Sequence, residues 1–133
     1  MFAAALKPLG LTPAWAETLD ILEEREPLTI RELGLLLVCE GDHPSRLVTR
    51  MVAAGLVSTE PSPEDDRARL VKLTSEGRAL LPRLREVEEQ FHSGIEAAVT
   101  PADLEACERV LGAFINGTPA GEALRRRLET EPA

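Results

Sequence analysis

Residues 42–74, DHPSRLVTRMVAAGLVSTEPSPEDDRARLVKLT, constrain this chain more than any other segment. Successive residues set 100° apart place Leu47, Val48, Met51 and Ala54 on one side of a helix from Asp42 to Ala54. His43, Ser45, Arg46, Thr49 and Arg50 fall on the other. Asp42 is the expected N-cap, and Gly55 stands where a left-handed residue ends a helix. Leu56–Glu60 and Arg69–Leu73 then read as strands, alternating or running apolar with β-branched residues. PSPEDD between them holds turn formers and no apolar side chain. A helix with one arginine face, followed by a hairpin carrying Arg67 and Arg69, suits a DNA major groove and its adjacent backbone.

The flanking segments carry clear helix signals. Thr12-Pro13 opens PAWAETLDILEER as N-cap and first-turn proline, with Trp15, Leu19 and Leu22 as a buried stripe and Pro27 as the stop. Thr29-Ile30-Arg31-Glu32 is a capping box opening TIRELGLLLV, with Leu33, Leu36 and Leu37 on its core face. Thr74 to Gly77 cap a long helix over about 77–98, which Pro82 is expected to bend. Thr100-Pro101 opens PADLEACERVLGAFI, whose apolar side is Leu104, Val110, Leu111 and Phe114, and Gly117 ends it. The tail TPAGEALRRRLETEPA reads as a short helix after Thr118-Pro119 or as a partly disordered end.

The expected fold is therefore mainly α with a small β-hairpin: a winged helix-turn-helix plus C-terminal dimerisation helices. Residues 1–76 form the reader region, 77–116 the helical dimerisation region and 117–133 the tail. The two helices after the hairpin carry more apolar surface than a small winged domain covers, and a symmetric dimer would bury it.

Composition narrows the function classes. The 133 residues include three Phe, one Trp and no Tyr, so a stacking platform for single-stranded nucleic acid finds little material. The net charge is −8, unevenly spread: residues 43–78 hold six basic and five acidic side chains, and the flanks are acidic. Local phosphate contacts govern DNA affinity, so an acidic body does not exclude binding, but it weakens the non-specific part. No apolar run approaches the ~20 residues of a membrane span, and MFAAALKPLG is short for a signal peptide, so a cytoplasmic protein is expected. Phosphate-loop, nucleophile-elbow and paired-carboxylate signatures are missing, which argues against an enzyme. His43 and His92 lack ligand spacing; neither a metal nor a cofactor is expected. Cys39 and Cys107 are expected to be reduced and packed as small hydrophobes, with Cys39, just before the reader helix, as the candidate for a redox thiol.

From Leu11 to Leu84 the chain resembles the MarR-type winged-helix transcriptional regulators. The similar features are LTPAWAETLDIL, the supporting helix TIRELGLLL and the reader SRLVTRMVAAGLV. The most specific is the wing Asp65-Asp66-Arg67-Ala68-Arg69-Leu70-Val71-Lys72-Leu73-Thr74, which fits D-x-R-x-x-x-V-x-L-T, followed by Gly77-Arg78. The resemblance implies a homodimeric repressor on a pseudo-palindromic operator of double-stranded DNA, often released by a small aromatic ligand or by thiol oxidation. It places Ser45, Arg46 and Arg50 at the major groove or its phosphates and Arg67 in the minor groove, with Asp65 supporting Arg67 through an ion pair. Thr49, Arg69 and His43 complete the expected DNA-facing set. Three departures are visible. Asp66 stands where the family often has a second Arg. His43-Pro44 replaces small hydroxyl residues. The family's N-terminal dimerisation helix is reduced to MFAAALKPLG, which leaves dimerisation to residues 77–116.

Each of these features has a plainer reading. Arg46 and Arg50 would also suit a solvated helix face, Arg67 a structural ion pair with Asp65, and Arg125–Arg127 a solvated tail. The main rival function is a winged-helix protein-interaction module that has lost DNA binding, in keeping with Asp66 and the net charge.

Overall fold

The computed structural model describes residues 1–38 and 43–129. Cys39 and Asp42 lie outside the described residues. The chain runs through α1 (Phe2–Leu6), a 3-10 turn (Lys7–Leu9), α2 (Pro13–Arg25), β1 (Leu28–Thr29), α3 (Ile30–Leu36), α4 (Pro44–Ala53), β2 (Val57–Pro61), β3 (Arg69–Leu73), α5 (Ser75–Ala98), α6 (Pro101–Ile115) and α7 (Pro119–Glu129).

Helix starts follow local chemistry. The hydroxyl oxygens of Thr12, Thr29, Thr74 and Thr100 accept the backbone N–H of Trp15, Glu32, Gly77 and Asp103. Two of these are complete capping boxes, because Glu32 and Asp103 accept back from the N–H of Thr29 and Thr100. Each cap satisfies amides that the first turn leaves without a helical partner. The reader helix departs from expectation here. It begins at Pro44, with His43 in extended backbone at the N-cap position (φ −65°, ψ 135°). Proline needs no amide partner at the first helical position and holds the residue before it extended. At the other end Gly55 adopts φ 77°, as expected. Ala54 is exposed rather than on the buried side, because the helix stops at Ala53 before that face is extended.

The sheet has three strands in the order β1-β3-β2, all antiparallel, with Leu28 opposite Val71 and Val57 opposite Leu73. The sequence suggested only the hairpin; β1 is two residues long and has no periodicity to read. Pro61 closes the edge strand β2, where the missing amide donor is tolerated. Leu19, Leu22, Leu33, Leu47, Met51, Val71 and Leu84 are buried in one core that joins α2, α3, α4, the sheet and the first half of α5. Trp15 and Leu36 are half-buried against it. α5 continues through Pro82 without interruption. The Phe2 and Phe91 rings, 5.1 Å apart, seat α1 against α5.

Thr74 ties the reader helix to α5. Its N–H donates to the Leu56 carbonyl (3.1 Å), and its hydroxyl donates to the Gly55 carbonyl (2.6 Å) while accepting from Gly77 N–H (3.0 Å). A Cβ on Gly77 would lie 2.2 Å from the Leu56 carbonyl oxygen, so the approach requires glycine. Glu26 adds a second tie: its carboxylate accepts the Leu73 N–H at 2.7 Å and pairs with Arg78.

Between α2 and α5, Asp20 meets Glu88. Burial, the hydrogen bond to Glu88 and the Glu88 charge push the Asp20 carboxyl up to about 8; Arg127 nearby pulls the other way without prevailing. Below about pH 4 this carboxyl is neutral in folded and unfolded chains alike. Above that the unfolded chain ionises while the folded chain keeps its proton until about pH 8, so stability falls across that window and then levels off. Asp20→Asn is expected to gain thermal stability over the parent as pH rises through the window, with little difference near pH 4; parallel unfolding curves at the two ends check this, and a pH-independent difference would contradict it. Gly77→Ala is expected to cost about 1–3 kcal/mol or more in urea unfolding, the range for forcing an atom into packed space.

Candidate nucleic-acid interface

The reader helix α4 is amphipathic in fact as well as in sequence. Leu47, Val48 and Met51 are buried, whereas His43, Ser45, Arg46, Thr49 and Arg50 are exposed. The Thr49 hydroxyl donates to the Ser45 carbonyl at 2.8 Å, so its oxygen remains available as an acceptor outward. Gly34 explains how the helix is seated: a Cβ there would lie 2.8 Å from Cγ of Pro44. α3 and the first turn of α4 are therefore in close contact.

The wing is built by backbone closure of its loop. Ser62 N–H donates to the Ala68 carbonyl and Ala68 N–H to the Asp65 carbonyl, both at 3.0 Å. Asp65 supports Arg67, but not through the expected ion pair. Its carboxylate accepts the backbone N–H of Arg67 at 2.9 Å, and among the described residues no ion pair joins the two side chains. Aspartate folds its short side chain onto the amide two residues on, the usual aspartate turn. The Arg67 side chain stands exposed at the tip. Arg69 is placed differently. Its guanidinium makes three contacts to Thr59 on β2, two to the hydroxyl at 3.1 and 3.2 Å and one to the carbonyl at 3.3 Å. This arginine clamps the hairpin diagonally. Lys72 pairs with Glu60 at 2.7 Å across the same ladder. Exposed pairs of this kind add little stability, but they set which arginines remain directed outward.

Reader and wing open onto one groove of about 1010 Å³. Its lining includes His43 and Ser45 from the start of α4, Arg67 and Arg69 from the wing, and Arg31 from α3. Arg31 was not singled out from the sequence, where it was read only as the third residue of a capping box. It is exposed on the first turn of α3. Glu64 and Asp65 line the same groove, so the surface is mixed rather than uniformly basic.

The remaining predicted features fall elsewhere. Cys107 is exposed on α6 and not packed as a small hydrophobe, because that helix has no buried residue at all. Among the described residues no cluster of His, Cys, Asp and Glu suits a metal ion. No helix among them is long and apolar enough to cross a membrane.

Residues 9–68 match the family model described as "MarR family". The chain is 32% identical over 107 residues to the HTH-type transcriptional repressor IacR of Pseudomonas putida, covering 80% of this chain and 64% of that protein. It thus spans less than two thirds of that relative's length. It is 29% identical over 107 residues to the multiple antibiotic resistance protein MarR of Escherichia coli K12, covering 80% of this chain and 74% of the relative. Among solved structures, a cysteine-to-serine mutant of E. coli MarR complexed with operator DNA superposes with a TM-score of 0.76 at 27% identity, over 86% of this chain and 82% of that one.

Proposed function

This chain belongs to the MarR family of winged-helix transcriptional regulators, and on that premise we propose that it is a homodimeric repressor reading a pseudo-palindromic operator. The observation that carries the reading is the shared groove: the start of α4, through His43 and Ser45, and the tip of the wing, through Arg67, line one surface, and the rest of the polar face of α4 is exposed. A helix of this length fits the major groove, and a wing beside it reaches the next stretch of backbone. Arg46 and Arg50 then read base edges or phosphates, with Ser45, Thr49 and His43 as shorter-range polar contacts. Arg67, held out by the Asp65 turn, enters the minor groove. Arg31 at the start of α3 adds a phosphate contact. Arg69 acts first as the brace of the wing, through Thr59. The DNA-bound E. coli relative supports this reading.

Dimerisation is supported by an apolar surface that no described residue covers. Val110, Leu111 and Phe114, on one side of α6, are 51%, 57% and 78% exposed. Apolar side chains grouped in this way mark association surfaces. A second copy buries them and sets two reader helices at about one helical turn of DNA, or a small multiple of it.

Selection from a random-sequence duplex pool tests the reading, with an enriched two-fold motif as the expected result. Arg46→Ala, Arg50→Ala and Arg67→Ala should each weaken the selected duplex by about 1–3 kcal/mol where they reach base edges. If one contacts only phosphate, the loss is uniform across sequences and the salt slope becomes shallower by about one. No enrichment at low salt would sink DNA recognition and favour a protein-interaction module. In sedimentation, the parent should be dimeric at micromolar concentration and Phe114→Asp should shift it toward monomer; a stable monomeric parent would overturn the dimer.

A further inference from the structure

α7 packs back onto the reader domain of its own chain. It lies against α3, with Ala123 only 2% exposed. A crevice lined by Gly34, Leu35 and Val38 on one side and Pro119, Ala120 and Arg126 on the other follows the seam.

The centre of this contact is Glu17 of α2, a carboxylate only 7% exposed. One of its oxygens accepts the backbone N–H of Val38 at 2.6 Å and the guanidinium of Arg127 at 2.8 Å. Arg25 of α2 donates to the carbonyl of Arg127 at 2.9 Å, and Arg126 donates to the carbonyl of Leu35 at 3.3 Å. Leu35 lies in the last turn of α3 and Val38 two residues past its end, in the last described stretch before the reader helix. Gly34, which also lines the α7 crevice, meets Pro44 of the reader helix too closely for a side chain to intervene. α3 is therefore in contact with both α7 and the first turn of α4.

We propose that α7 is a positioning element for the reader helix, and that Glu17 and Arg127 are its positioning residues. The inference rests on the DNA-binding reading for its consequence, but not for its mechanism. A buried carboxylate in low dielectric needs its charged partner, and a planar guanidinium holds that partner in one direction. The pair thereby fixes where α3 ends, and through the Gly34–Pro44 contact it fixes where α4 begins. Loosening the pair lets the reader helix sample orientations that do not fit the groove, and apparent affinity falls by the fraction lost. Arg127 touches no phosphate in this scheme, so the salt dependence of binding stays as it was.

The test uses the full chain with three single variants, Arg127→Met, Glu17→Gln and Arg127→Lys, and the double variant Glu17→Gln with Arg127→Met. Amide hydrogen exchange on free protein is read first. Arg127→Met is expected to speed exchange at Val38 and along α4, while α5 keeps the protection of the parent. On a duplex selected by the parent, it should weaken binding about ten-fold at unchanged salt slope, a coupling of ordinary size between parts of a fold. Glu17→Gln combined with Arg127→Met should do no more than either alone, and Arg127→Lys should recover most of the affinity. Parent-like protection at Val38 and α4 in Arg127→Met would overturn the proposal, and so would a salt slope reduced by about one, which would make Arg127 a direct phosphate contact. Should Arg127→Met not fold, Glu17→Gln is read in its place: selective loosening of Val38 and α4 supports the latch, and uniform loosening of every helix overturns it. If the parent selects no duplex, the exchange data still decide the latch while the DNA reading fails by itself.

Discussion

Thr74 is the point on which the rest of the arrangement depends. One residue gives and receives three hydrogen bonds, to Gly55, Leu56 and Gly77, and so joins the end of the reader helix, the start of the wing and the start of α5. The bond to Gly55 exists because Gly55 has turned the chain out of α4 with a positive φ. The bond from Gly77 exists because Gly77 has no Cβ to strike the Leu56 carbonyl. Reader, wing and long helix thus share one rigid junction. Any force on α5 reaches the end of α4 through the Thr74 backbone and its hydroxyl.

A second constraint is the way charge is distributed. The chain carries a net −8, yet many of its acidic groups are occupied in holding the fold. Glu17 binds α3 and α7, Glu26 binds β3 and α5, Glu23 pairs with Arg85, and Glu60 pairs with Lys72. Asp20 is held largely neutral through neutral pH by burial beside Glu88. Several arginines are spent in the same way, on carboxylates or carbonyls of the body. Arg46, Arg50 and Arg67 are exposed on the proposed DNA side. The groove itself sets Arg31, Arg67 and Arg69 beside Glu32, Glu64 and Asp65, so its formal charge is balanced where the chain as a whole is acidic.

The alternation between local and long-range causes explains which parts could be read in advance. Threonine caps, the left-handed Gly55 and the buried Leu47–Val48–Met51 face are statements about neighbours within four residues, and they appear where the sequence put them. Strand β1 could not be seen because two residues carry no pattern; only pairing with Val71 and Leu70 makes it a strand. Arg69 looked like Arg67, two residues away, but the twist and register of the hairpin lay it over Thr59. Asp65 bonds the backbone amide of Arg67 rather than its guanidinium, since the aspartate turn competes with the ion pair and closes at shorter range. Cys107 looked like a core residue by type and sits instead on a helix that buries nothing within the chain.

By itself, the sequence determined the succession of helices and hairpin from α2 onward, the apolar and arginine sides of the reader helix, and the residues at the wing; it did not show α1. These follow from steric and hydrogen-bonding preferences that act over one turn of helix or one pair of strands. Only the tertiary structure decided which arginines brace the molecule and which face outward. It alone brought Arg31 into the groove and folded α7 onto α3 through Glu17 and Arg127. Those outcomes depend on contacts between residues separated by as many as 110 positions, and a distance of that kind is set by the packing of the core.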